Sequence, residues 1–197
     1  MTEQTATIVS DDGRRAIAGR DVPAPGTWTI DPGHSSIGFS VRYATVTDMR
    51  GRFADFAGTV EVGEDIGAST VQLSIRTESF DTALSVRDAD MRGPGFLDTV
   101  GYPTIEFKST GIDADGPRWR IRGDLTIHAE TRPVVLDADY IGVAQTPFGE
   151  ERVGFKATAT IDRREFGLDR NMPLATGGVF IGNILHIELD ISAIRAT

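Results

Sequence analysis

Few residues of this chain are equipped for covalent or acid–base chemistry. His34 and Ser35 stand side by side in Asp31-Pro32-Gly33-His34-Ser35, a base next to a hydroxyl. A hydrolytic triad is defined by geometry and not by neighbours in sequence, and Asp and Ser in such a turn bond nearby backbone groups. The motif therefore reads as a structural brace. Arg87 and Asp88, with Asp90 and Arg92 close by, suit an ion pair or contact with a polar head group, and Tyr43 adds a phenol. The histidines, His34, His128 and His186, are far apart in sequence and form no zinc motif. The chain has no cysteine, which removes thiolate nucleophiles, thiolate metal ligands and disulfides together. No catalytic constellation assembles from these groups, so a non-enzymatic role is expected, with no metal and no cofactor.

The elements that must position these residues are strands. From Arg118 to Ala129, Trp119, Ile121, Gly123, Leu125, Ile127 and Ala129 alternate with Arg118, Arg120, Arg122, Asp124, Thr126 and His128. Successive strand side chains point to opposite faces, so one face is dry and the other wet. The pattern recurs at Val71, Leu73 and Ile75, at Val153, Phe155, Ala157, Ala159 and Ile161, and at Leu185, Ile187, Leu189 and Ile191. Strands are expected over 28–31, 36–47, 52–62, 70–79, 104–113, 118–129, 133–145, 151–163 and 183–194. With few helices to cover a one-sided sheet, the sheet must close on itself into an antiparallel β-barrel. His128 and His186 fall on polar rows and should face outward.

Two segments break the two-residue period. Residues 81–102 hold Leu84, Asp88 and Met91 at helical spacing, then Gly93-Pro94-Gly95, then Phe96 and Leu97. This reads as a short helical lid followed by an apolar loop, with Phe96 and Leu97 over one mouth of the barrel. Residues 165–182 are too apolar for an ordinary surface connection and suit a barrel rim.

The 197 residues suit one domain, residues 27–197, preceded by a polar, turn-rich tail over residues 1–26 that is expected to be flexible. The net charge of −9 argues against nucleic acid, and Arg118, Arg120 and Arg122 lack interleaved aromatics. No run approaches the roughly 20 apolar residues of a membrane-spanning helix. The N-terminal apolar runs are also too short for a signal-peptide core. A cytoplasmic protein without a transmembrane segment is expected.

An eight-stranded barrel is either just filled by side chains or able to hold a small ligand. The inward rows mix Gly58, Gly123, Ala138, Ala157 and Ala159 with Phe39, Phe107, Tyr140 and Phe155. Small residues facing large ones can also interdigitate into a solid core, so a filled barrel serving as an interaction scaffold stays open on these residues. If hollow, the wall is hydrocarbon: Phe39, Val41, Leu73, Ile75, Ile105, Phe107, Leu125, Ile127, Leu136 and Phe155, with Tyr43 beside Val41 and with Phe96 and Leu97 at the lid. Such a wall selects a hydrocarbon chain over a sugar or nucleotide. At about 0.8 kcal/mol per buried CH₂, one five-carbon unit gains roughly 4 kcal/mol before costs. The enzymatic alternative is a cyclase or isomerase of a bound lipid, with Tyr43 or Asp88 as proton donor.

Six ordered motifs resemble the YceI-like family of lipid- or polyisoprenoid-binding, lipocalin-like proteins. They are Trp28-Thr-Ile-Asp31-Pro32-Gly-His34-Ser35-Ser-Ile-Gly-Phe39; Arg50-Gly51-Arg-Phe53 with Phe56-Ala-Gly58; Arg87-Asp88 leading to Gly95-Phe96-Leu97-Asp98; Tyr102-Pro103-Thr-Ile105-Glu-Phe107; Gly123-Asp-Leu125-Thr126-Ile127-His128 with Thr131-Arg132-Pro133-Val134; and Arg163-Arg-Glu165-Phe166-Gly167-Leu168. The resemblance covers residues 27 to about 195. It implies an extended eight-stranded, lipocalin-like barrel whose long apolar pocket holds a polyisoprenoid, an isoprenoid quinone or a related amphiphile, and a homodimer. Tyr43 stands where the family usually has His. Many relatives carry a secretory signal, and none is expected here.

Overall fold

The computed structural model describes residues 7–9, 15–17, 20–115 and 117–196. Three short strands come first, β1 (Thr7–Val9), β2 (Arg15–Ile17) and β3 (Arg20–Val22), forming a small antiparallel sheet. The main sheet follows as β4 (Gly26–Ile30), β5 (Ser36–Tyr43), β6 (Thr47–Phe53), β7 (Phe56–Val62), β8 (Thr70–Arg76), β9 (Phe80–Asp81), the helix α1 (Ser85–Arg92), β10 (Thr104–Asp115), β11 (Arg118–Ile127), β12 (Glu130–Gln145), β13 (Glu151–Asp162) and β14 (Ile181–Arg195). Eight of these close into an antiparallel barrel in the order β4-β7-β8-β10-β11-β12-β13-β14, with β14 pairing back to β4. Closure removes the edges that a one-sided sheet would otherwise expose.

β14 is long enough to serve two neighbours. Its last residues, Ala193 to Arg195, pair with β4, while Ile181 to Asp190 pair with β5. β5, β6 and β9 thus extend the barrel wall at one end, called here the upper end. This explains a break that alternation does not reveal. The stretch expected as one strand over 52–62 is two, because β6 pairs with β5 and β7 with β4, and the chain must step between them at Ala54 and Asp55. β8 likewise stops at Arg76, where a 3₁₀ turn (Thr77–Ser79) turns Thr77 inward and its Oγ1 donates to the Tyr102 carbonyl at 2.8 Å.

The region expected as a flexible tail is partly structured. Residues 1–6, 10–14 and 18–19 lie outside the described residues. β3 runs into the barrel, however, with Val22 buried, Pro23 fully buried, and Trp28 Nε1 donating to the Ala24 carbonyl at 3.0 Å. Val22 and Pro23 dock as a lower cover because doing so buries their apolar surface, and the polar residues before them hide this from the sequence pattern. The strand expected to run through Ala129 ends at Ile127: His128 and Ala129 take φ of +53° and +64° and form the two-residue turn between β11 and β12. His186 is exposed as expected. His128 is half-buried, its ring 3.9 Å from that of Tyr102.

Candidate functional site

The inward rows enclose a cavity of about 650 Å³, within the usual range for small-molecule sites. Phe39, Val41 and Tyr43 reach it from β5, Leu73 and Ile75 from β8, and Ile105 and Phe107 from β10. Leu125 and Ile127 come from β11, Leu136 from β12 and Phe155 from β13, while Phe96 and Leu97 come from the loop after α1. All of the residues expected at the site therefore line one cavity. The β14 row Leu185, Ile187, Leu189 and Ile191 lines it too, as its alternation implies.

Two aromatic clusters flank the space. Phe39, Phe53 and Phe80 lie 5.3 to 5.8 Å apart beside the extension. Trp119, Tyr140 and Phe155 lie 5.1 to 5.4 Å apart lower down. The Tyr140 hydroxyl is buried with no hydrogen-bond partner among the described residues, and burial, with Asp21 and Glu151 nearby, pushes its pKa up.

The glycines on the inward rows do not hollow the barrel in the way their size suggests. A Cβ on Gly123 would stand 2.4 Å from Phe107 Cζ, and one on Gly51 2.3 Å from Phe39 Cζ. At each of these glycines the tip of a neighbouring ring occupies the place that a side chain would take. Ala138, Ala157 and Ala159 make room more directly, since they line the cavity with nothing beyond a methyl. A Cβ on Gly123 would also stand 2.7 Å from the Lys108 carbonyl oxygen, so Gly123→Ala should push aside both the Phe107 ring and the β10 backbone, at a cost of about 1–3 kcal/mol. A lowered melting temperature together with weaker uptake of a hydrophobic probe checks this; unchanged values for both would show that Phe107 relocates freely.

The charged lining residues gather at the upper end. Arg87 and Asp90 come from α1, and Arg170 Nη1 donates to Asp90 Oδ1 at 3.1 Å. Arg163 is fully buried, and neither length nor alternation marked it beyond its place in a motif. Its Nε donates to the Gly182 carbonyl at 2.9 Å, Nη1 to the carbonyls of Leu168 and Arg170, and Nη2 to the Ile181 carbonyl and Asn183 Oδ1. Burial pulls its pKa below the ordinary guanidinium value, yet the group stays charged. Its cation also sits 5.7 Å from the centre of the Phe96 ring. One side chain thus ties both ends of the 165–182 rim to the lid loop. The turn that delivers it is local chemistry. Asp162 caps the 3₁₀ turn Arg163–Phe166 through the Arg164 backbone N–H at 3.0 Å, and Gly167 closes it at φ +72°. The Arg164 guanidinium draws the Asp162 carboxyl down to about 2.

Of the groups suited to chemistry, Asp88, Arg87 and Ser35 are held in local hydrogen bonds. Asp88 is buried and accepts from the Thr82 N–H at 3.1 Å and from the Thr82 hydroxyl, and it does not line the cavity. Arg87 donates to Thr82 Oγ1 and O, both at 2.7 Å. Ser35 Oγ donates to the Ser192 carbonyl and accepts from the Ser192 N–H. Tyr43 is at the mouth, its ring 4.7 Å from Phe180.

His34 braces the wall as its turn suggests: Nδ1 lies 2.7 Å from Asp31 Oδ2, which also accepts from Arg152 Nη1 at 2.7 Å. Arg152 in turn reaches Ser192 Oγ and Glu150. This cluster pins the kink between β4 and β5 to β13 and β14. Arg152, then His34, hold the Asp31 carboxyl below its ordinary value. A carboxylate depressed in the folded state stabilises fully above its unfolded pKa of about 3.9, and the contribution is lost as pH falls through the folded value. The stability gap between the parent and Asp31→Asn should therefore be constant at neutral pH and close only in acid. Urea midpoints measured against pH read this directly, and a gap that closes near neutrality would contradict it.

Among the described residues no helix is long and apolar enough to cross a membrane. The YceI-like domain family model matches residues 28–193. The chain is 35% identical over 156 residues to the protein YceI of Escherichia coli O157:H7, covering 79% of this chain and 81% of that one. Its fold superposes on BcnA of Burkholderia cenocepacia with a TM-score of 0.71 at 21% identity, covering 85% of this chain and 99% of the other. A polyisoprenoid binding domain from Saccharophagus degradans implicated in plant cell wall breakdown gives a TM-score of 0.66 at 15% identity, covering 86% and 98%. By its motifs, its barrel and these relatives, the chain belongs to the YceI-like family.

Proposed function

We propose that this protein binds a long-chain amphiphile, a polyisoprenoid or an isoprenoid quinone, in its barrel and stores or transports it without transforming it. The observation that carries the reading is the cavity itself: about 650 Å³, walled by hydrocarbon, with its charged residues confined to one end. An apolar wall offers a hydrocarbon chain burial and offers a polar metabolite only desolvation. The shared fold with a polyisoprenoid binding domain from Saccharophagus degradans is consistent with the same class of ligand. A non-catalytic role accords with Asp88 and Ser35 being spent on Thr82 and Ser192.

Titration with a series of prenyl alcohols of increasing length tests the proposal. Affinity should rise with each added unit until the cavity is full, change little with the head group, and fall only modestly in Tyr43→Phe or Asp88→Asn. Time-dependent conversion of the alcohol, abolished by either substitution while binding persists, would make the protein an enzyme. We also propose the homodimer that the family resemblance implies; a monomer at every concentration in sedimentation equilibrium would overturn it.

A further inference from the structure

Three segments meet around the upper mouth, and each presents apolar side chains to solvent. The β5–β6 hairpin tip carries Val46, 79% exposed; α1 and its cap carry Val86, 79%, and Leu84, 51%; the rim carries Met172, 59%, and Val179, 37%. These segments are physically joined. The Ala44 N–H donates to the Phe180 carbonyl at 2.8 Å, and Arg170 bridges the rim to Asp90 of α1. The collar is also continuous with the interior, because Leu84, Val86 and Met172 line the cavity as well as facing outward. Beside it the cavity's solvent-reaching charged residues, Arg87 and Arg170 against Asp90, are net positive in a chain of net charge −9, while Arg163 is fully buried.

From this juxtaposition we propose that the upper mouth docks on the surface of a phospholipid bilayer, with the apolar collar entering the interface and Arg87 and Arg170 facing lipid phosphates. The proposal rests on the hydrocarbon-binding reading of the cavity. A chain leaving the barrel through water would expose its whole apolar surface, a cost that grows with length. A mouth pressed into the interface passes it from one apolar phase to another. The same geometry matches interfacial anchoring in general, where apolar side chains are buried at the head-group boundary and cations face phosphate.

The test uses the full chain loaded with a dansyl-labelled geranylgeranyl probe and mixed with phosphatidylcholine vesicles, with and without phosphatidylglycerol. Transfer should accelerate in proportion to vesicle concentration, as collision requires, and the protein should float with the vesicles. Val46→Asp with Val179→Asp, both outside the cavity, should slow transfer at least tenfold and abolish flotation while leaving probe loading unchanged. Phe148→Asp, which removes the most exposed aromatic far from the mouth, should change neither. Transfer independent of vesicle concentration, or collar variants indistinguishable from the parent, would overturn the proposal. So would mouth-to-mouth dimers formed without vesicles and abolished by the same substitutions. If the probe fails to load yet the protein still floats through Val46 and Val179, the docking stands and the ligand reading fails.

Discussion

Ala157→Trp should leave the barrel folded and empty it of ligand. Ala157 faces the lumen between Ala138 of β12 and Leu189 of β14, so an indole there projects into open space and not into packed atoms. In a close-packed interior such a change costs about 1–3 kcal/mol, but here the added ring fills void and gains contacts. Retention of a prenyl probe should drop at least a hundredfold while the melting temperature holds or rises. A variant that unfolds would mean that the space beside Ala157 is already filled; one that binds as before would mean that ligand never occupies it.

Arg163→Met carries the larger structural consequence. It removes a buried cation and takes away the guanidinium donors of the Leu168, Arg170 and Gly182 carbonyls together, while the Ile181 carbonyl keeps the Asn171 amide at 2.6 Å. Each buried acceptor left unpaired costs about 1–3 kcal/mol, and some carbonyls will find water, so a loss on the order of 3–5 kcal/mol is expected. Arg163→Lys should recover little of it, since an ammonium has three donors where the guanidinium fork has five. Because the same side chain lies against Phe96, ligand release should also quicken. Phe96→Ala should share the faster release and show much less of the stability loss. Equal stability losses in Arg163→Met and Phe96→Ala would place the energy in the ring contact and not in the carbonyl cage.

The barrel was legible because alternation is a direct record of which face is dry. Val71 to Ile75, Trp119 to Ile127 and Leu185 to Ile191 each assign their own parity, and a closed sheet leaves one place for the dry rows to point. The break at Ala54 and Asp55 was not legible, since it is set by which strand lies alongside, a long-range fact with no local sign. Glycine was misleading for a related reason. Gly123 reads as empty space along its own strand, and only the register that puts Ser109 and Lys108 beside it brings the Phe107 ring over it. Arg163 eluded the pattern because a buried arginine satisfied by backbone carbonyls and one amide oxygen has no acidic partner that a sequence could announce. Val22 and Pro23, the lower cover, were hidden by the polar residues that precede them.

The proposed function requires that the cavity carry a hydrocarbon in the protein as it is made. Protein purified from its own host without detergent, extracted with organic solvent and analysed by mass spectrometry against the Ala157→Trp variant prepared in parallel, answers this most directly. The prediction is a prenyl lipid, near one per barrel, in the parent and absent from the variant. A parent that yields no lipid, or lipid equally abundant in both, would contradict it.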